Sequence, residues 1–150
     1  LKINIAGKIS NPAYFKKCQQ IAKNSLCNVS FLGSLSKPDL NDHLKKTSCL
    51  VHPSLIEGTS NAILDAINTN TPLLVSDIPE NSYLVDDLPS FTFSITNEID
   101  LETKITNLLE GKESTKHKFE LSYLKERLEL KFSESNIKMA VKILKEQVNK

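Results

Sequence analysis

Apolar residues recur along this chain in two alternating rhythms. Lys2–Gly7 (KINIAG) interleaves β-branched with small residues and ends on Gly, which predicts a strand running into a turn. Asn11-Pro12 reads as a helix start, because Pro at the first helical position gives up only an N–H with no intrahelical partner. Phe15, Cys18, Ile21 and Ala22 then form the expected inner face, with Lys16, Lys17, Lys23 and two glutamines outward. Val29–Leu32 is a second strand closed by Gly33, and Ser36, Pro38 and Asp39 resemble a capped start whose helix turns Leu40 and Leu44 inward. Cys49–Val51 predicts a third strand, closed by His52-Pro53. A helix over Ser60–Asn68 puts Ala62, Ile63, Ala66 and Ile67 on one side, and Pro72–Ser76 is a fourth strand. Asp77–Glu80 reads as a turn, Tyr83–Val85 as a helical stub and Ser90–Ser94 as a weaker strand. Helices are expected over Asp100–Glu110, Thr115–Lys131 and Ser133–Asn149. The first carries Leu101, Ile105, Leu108 and Leu109 at helical period, the last Ile137, Val141, Leu144 and Val148.

Strands alternating with helices over short connections predict an α/β domain with a mostly parallel sheet. Its strands lack strict alternation, as expected where helices cover both faces. In open sheets of this kind crossovers are right-handed and ligands sit beyond the carboxyl ends of the strands. Those ends, Gly7-Lys8, Gly33-Ser34, His52–Glu57 and Ser76–Glu80, are expected on one rim.

Composition narrows the picture in three respects. At 150 residues the chain is about one domain, and its net charge of +1 gives no global steering toward nucleic acid. The charge is uneven, however: residues 112–150 hold 10 basic and 6 acidic side chains, a net +4 that fits a solvated helical face or docking to an anionic bilayer. Three cysteines, Cys18, Cys27 and Cys49, form no CxxC pair, which argues for free thiols in a reducing cytosol. No signal peptide or apolar run of spanning length is present. The chain opens on Leu1 directly at a strand and reads as a piece of something longer.

The candidate chemistry lies in Cys49–Glu80. If a helix begins near Thr59 or Ser60, Glu57 lies in the preceding loop and Asp65 about one and a half turns inside, so both carboxylates can border one crevice. Between them the amides of Gly58, Thr59 and Ser60 would be the free donors of the helix start, and Gly58 lets the backbone approach a diphosphate closely. A carboxylate suits the paired hydroxyls of a sugar or ribose. The order acceptor, amide cradle, acceptor therefore matches a nucleotide-sugar. The bland reading stays open at this point, since an acid before a helix stabilises its dipole with no ligand and Asp65 can simply face water. His52, before a Pro, reads as a packed or solvated rim histidine; His43 and His117 read as helix-surface residues. Asp77 and Glu80 fit either a donor contact or a turn cap. No His/Asp/Glu cluster points to a metal, and Gly7-Lys8 is not a P-loop because GxxxxGK[ST] is absent.

HPSLIEGTSNAILDAINTNTPLLVSDIPEN resembles the signature of family-4 glycosyltransferases with the GT-B fold, PS-x-x-EG followed by E-A and then TPV-x-x-S-D-x-P-E-N. Pro53, Ser54, Glu57, Gly58, Ala66, Thr71, Pro72, Ser76, Asp77, Pro79, Glu80 and Asn81 stand where that family has them. LKINIAG, VSFLG and Phe132-Ser133 extend the likeness over nearly the whole chain. The resemblance implies a Rossmann-like parallel sheet flanked by helices, the C-terminal, donor-binding half of a GT-B enzyme. It implies that Glu57 binds hydroxyls of the transferred sugar and that Asp65 holds the ribose. It also implies that Gly33 and Ser34 meet the nucleobase and that Gly58, Thr59 and Ser60 face the sugar or diphosphate. No bound metal and no cofactor beyond the nucleotide-sugar substrate are implied.

Three departures from the pattern stand out. Asp65 replaces the family's second Glu and reaches one methylene less far; Thr59 and Ser60 replace the commoner Phe-Gly. The strand and loop with the Arg and Lys that grip the diphosphate, and the acceptor-binding domain, are expected upstream of Leu1. The reading that follows is a retaining hexosyl or N-acetylhexosaminyl transferase using a UDP-sugar. Its expected acceptor is a lipid-linked oligosaccharide in bacterial O-antigen, lipopolysaccharide or capsule assembly, at the cytoplasmic face of the inner membrane. This fragment alone is expected to be inactive. A non-catalytic sugar-nucleotide-binding scaffold is the alternative; a flavodoxin-like signalling domain is disfavoured because no acidic cluster follows the first strand.

Overall fold

The computed structural model describes residues 1–112 and 114–131, in two units: Leu1–His43, and a second beginning at Leu44. The helix expected over Ser133–Asn149 lies outside the described residues. Both units are built from parallel strands and helices, so the expected Rossmann-like α/β class holds.

In the first unit, β1 (Lys2–Ala6) and β2 (Asn28–Gly33) pair in parallel across the helix α1 (Pro12–Asn24), and α2 (Lys37–Lys45) follows. The start of α1 is as expected: Pro12 opens it and the Asn11 side chain accepts from the Tyr14 N–H at 3.0 Å. Ser36 Oγ likewise accepts from the Asp39 N–H and donates to the Asp39 carboxylate at the start of α2. The register slips after Ile5, so that Ala6 faces Gly33. Gly33 adopts φ +67, a conformation costly to L side chains, and its carbonyl accepts the Gly7 N–H at 2.8 Å.

Two expectations fail in this unit. Ile21 is 70% exposed, because the half-buried line of α1 runs through Phe15, Cys18 and Ala22, and Ile21 falls to one side of it. The sheet is also not covered on both faces. α1 packs on β2, with Phe15 edge-on to Phe31 at 5.0 Å, while β1 is exposed along its length, including Ile3 and Ile5. No residue of 1–43 is buried.

The second unit carries the core. β3 (Leu50–His52), β4 (Leu73–Ser76) and β5 (Thr92–Phe93) form a parallel sheet in that order, joined by α3 (Asn61–Asn68) and α4 (Pro79–Leu84), with α5 (Glu98–Leu109) and α6 (Ser114–Lys131) after it. Ile63, Ala66 and Ile67 of α3 and Leu73, Leu74 and Val75 of β4 are fully buried, as their spacing predicts. Each larger one contributes about 1.5–3 kcal/mol through burial. The central strand β4 is buried at every position and so reads as an unbroken apolar run. α4 starts earlier than the expected stub, at Pro79, which fits a first helical position; Leu84 and Val85 are buried and Tyr83 is exposed. β5 keeps only two residues of the expected strand, extended by Val75 N–H to Phe91 O and Asp77 N–H to Phe93 O bonds. α5 begins two residues early because Asn97 caps it, accepting from the Ile99 N–H.

The largest correction concerns α6. Its inward line is His117, Leu121 and Leu124, whereas Phe119 and Leu130 are exposed. His117, expected on a helix surface, is 1% exposed: its Nε2 accepts the Leu73 N–H at 3.3 Å and its ring lies 4.3 Å from that of Phe91. An N–H at the start of β4 needs an acceptor, and the imidazole supplies one. His43 is exposed on α2, as expected.

Candidate active site

The parallel strands of each unit end on one side of their own sheet, so His52 and Ser76 lie at adjacent strand ends in the second unit. The loop from β3 to α3 carries Ser54, Glu57 and Ser60 back over these ends, and the four side chains His52, Ser54, Glu57 and Ser60 meet. His52 Nε2 is 2.9 Å from Glu57 Oε1, 3.0 Å from Ser54 Oγ and 3.1 Å from Ser60 Oγ. Ser54 Oγ donates to Glu57 Oε1 at 2.5 Å. A nitrogen facing a carboxylate oxygen at this distance carries a hydrogen, so His52 donates to Glu57 through Nε2–H.

Those donors act on the carboxylate's proton affinity. The Ser54 hydroxyl, then His52, hold Glu57 below the ordinary carboxylate range against partial desolvation that pushes the other way. Glu57 is therefore ionised at neutral pH. Both donors converge on Oε1. Among the described residues Oε2 has no hydrogen-bond partner, and the side chain is 25% exposed.

Ser60 is the N-cap residue of α3, but its side chain makes no capping bond and turns to His52 instead. Because α3 begins at Asn61 and its first helical bond is Leu64 N–H to Ser60 O, the helix-start donors are the amides of Ser60, Asn61, Ala62 and Ile63. The expected set, Gly58 to Ser60, thus sits two to three residues early; Gly58 and Thr59 are loop residues, both exposed. A Cβ added at Gly58 would meet nothing within 4 Å, so the backbone there is open to a ligand.

The loop is anchored from β4. Asn81 Nδ2 donates to Ser76 O at 3.3 Å and to Ser76 Oγ at 2.9 Å, and Ser76 Oγ donates to Ser54 O at 2.5 Å. Asp77 is used structurally, accepting the Ile95 N–H at 3.2 Å, and Glu80 is exposed in the first turn of α4.

Asp65 lies four residues into α3 and is 5% exposed. It therefore does not face water. Gly33 and Ser34 belong to the first unit, at the end of β2. The part that residue-by-residue reasoning missed is the partner set of Glu57. His52, Ser54 and Ser60 stand five and three residues before it and three after it, a spacing that a tight loop brings together.

Cys49 is no nucleophile, since burial pushes its thiol up to about 12; all three cysteines are free. Among the described residues no group of three or more His, Cys, Asp or Glu side chains is placed to hold a metal ion, and no helix is long and apolar enough to cross a membrane.

Residues 1–111 match the family described as glycosyl transferases group 1. Over 81 residues the chain is 32% identical to "Glycosyltransferase 1 domain-containing protein 1" of Xenopus tropicalis, a stretch that takes in 54% of this chain and 23% of that protein. The chain thus spans under a quarter of the length of the curated relative it matches.

Proposed function

Since the chain belongs to the glycosyl transferases group 1, matched over residues 1–111, we propose that it is the donor-binding part of an enzyme that moves a sugar from a nucleotide-sugar to an acceptor. The observation that carries this reading is Glu57: an ionised carboxylate tied down through one oxygen and open at the other, in the loop that feeds the uncapped start of α3. Glu57 orients the transferred sugar. The amides from Gly58 to Ile63 lie where the leaving diphosphate gathers negative charge, and donors fixed in advance stabilise such charge in the transition state. Asp65 holds the ribose, and Gly33 and Ser34 meet the base.

The finer reading is a retaining transfer of a hexosyl or N-acetylhexosaminyl group from a UDP-sugar to a lipid-linked oligosaccharide, in bacterial O-antigen, lipopolysaccharide or capsule assembly. It places the protein in the cytoplasm against the inner membrane. The Lys/Asn/Ile-rich composition, which fits an AT-rich bacterial gene, supports the bacterial part. The test is a panel of sugar nucleotides offered to the full-length protein with radiolabelled donors. Transfer from a UDP-sugar is expected, and no transfer from any donor would overturn the reading.

Membrane contact rests on the cationic C-terminal segment. Of its described cations, Lys112 pairs with Glu110, Lys116 with Glu120 and Arg127 with Asp86, while Lys125 donates to Asn68 O at the end of α3. Salt-sensitive co-sedimentation of the full-length protein with anionic vesicles is expected. Equal recovery with neutral vesicles would remove the membrane from the proposal.

A non-catalytic sugar-nucleotide scaffold is the second reading, favoured by the burial of Asp65. Donor binding by full-length protein that transfers nothing would select it.

A further inference from the structure

Glu57 is the outermost member of a chain of polar side chains that starts in the core. Asn81, in the first turn of α4, is fully buried, and so is Ser76 at the end of β4. The direction of every bond between them is fixed by chemistry. Ser76 O can only accept, so the Asn81 atom facing it is the amide nitrogen. The same nitrogen donates to Ser76 Oγ, whose single proton goes to Ser54 O across the gap between strand ends. Ser54 Oγ then spends its own proton on Glu57 Oε1, beside the His52 bond to the same oxygen. Buried polar groups of this kind are costly unless satisfied, and an apolar residue at Ser76 would suit the buried strand as well.

We propose that Asn81, Ser76 and Ser54 form a positioning relay which, together with His52, fixes Glu57 so that Oε1 belongs to the protein and Oε2 is offered to a single hydroxyl of the donor sugar. This rests on the reading of Glu57 as the sugar-facing carboxylate. The relay has a mechanical logic: the loop before α3 makes few apolar contacts of its own, with Leu55 and Ile56 both exposed, so the end of β4 supplies the rigidity. A carboxylate held at one oxygen by two donors is restrained from swinging, and the lone pairs of Oε2 lie in the plane that those donors set. Specificity then reduces to which hydroxyl of the sugar reaches Oε2 in that plane.

Ser54→Ala, Ser54→Thr, Asn81→Asp and Glu57→Gln in the full-length protein test this. Ser54→Ala is expected to lower kcat about tenfold or more while KM for the donor changes less than threefold, because misorientation acts on the transition state. Ser54→Thr, which keeps the hydroxyl, is expected to restore kcat to within threefold. Asn81→Asp sets an oxygen against the Ser76 carbonyl and is expected to act in the same direction as Ser54→Ala. Should that buried variant fail to fold, the Ser54 pair decides. A 13C titration of the Glu57 carboxyl gives a readout independent of turnover, and it is expected to move to higher pH in Ser54→Ala. Unchanged kcat and unchanged titration in Ser54→Ala, with Glu57→Gln inactive, would overturn the relay and leave the role of Glu57 standing. A fully active Glu57→Gln would instead remove the sugar-facing role and with it the assignment of Oε2.

Discussion

Replacing Glu57 with Gln is expected to cut turnover of the full-length enzyme at least tenfold, about 1.4 kcal/mol or more of transition-state stabilisation. The geometry says why an isosteric change is so costly. Two donors, from Ser54 and His52, converge on Oε1. A glutamine that keeps its oxygen there turns its NH2 group outward, so a sugar hydroxyl that met an anionic acceptor now meets a neutral donor. The opposite flip sets NH2 against both protein donors and releases the loop. Either way the ionised form, which Ser54 and His52 favour in the wild type, is gone. The side chain is 25% exposed, so the substitution should leave folding intact, and the comparison is of rate alone. A near-normal kcat in steady-state assays with the preferred donor would take Glu57 out of the mechanism.

The second large effect is on stability in acid, through His117. Burial pushes this imidazole down to about 4, only partly offset by the Glu120 carboxylate. Its Nε2 accepts from Leu73, so the proton of the neutral ring sits on Nδ1, a buried atom with no partner among the described residues. Protonation would turn the acceptor into a donor facing another donor. The unfolded chain binds this proton near pH 6.5 and the folded chain only near 4, so the unfolded state holds more protons between those values. Stability is then complete above about pH 6.5 and declines as pH falls toward 4, by up to about 1.4 kcal/mol per pH unit. Against a total of about 5–15 kcal/mol for a typical domain, the loss is large. Urea unfolding midpoints at pH 7.5, 6 and 5 should fall steeply in the wild type and less steeply in His117→Gln, which can still accept from Leu73 but does not titrate. Parallel curves would show that His117 contributes nothing to acid lability.

Most of the element order was legible in the sequence because periodicity and punctuation agreed. Asn11-Pro12, Ser36 with Asp39, and the run LLVS each carry a local signal that the tertiary structure has no reason to override. Where the reading failed, the deciding partner was remote. The side of α6 that faces inward is chosen by Leu73 and Phe91, forty-four and twenty-six residues away from His117, so a polar residue took a core position and Phe119 did not. Ser60 has the composition of a cap, yet His52 claims its hydroxyl across the loop. In the site, Glu57 could be singled out from its place before a helix. The hand-over from Asn81 to Ser76 to Ser54 could not, because it links strand ends whose adjacency only the sheet establishes.

The uneven core has a consequence for how the chain is made. Residues 1–43 leave the ribosome before residues 44–131, and none of their side chains is buried in the finished fold. At about 5–20 residues per second, the ribosome takes seconds to deliver the stretch from Leu44 to Leu124, which holds all the buried apolar side chains among the described residues. During that interval β1 carries Ile3 and Ile5, side chains that stay exposed even in the finished fold. Exposed strands of this kind pair readily with other chains, so aggregation during synthesis is the hazard this arrangement carries.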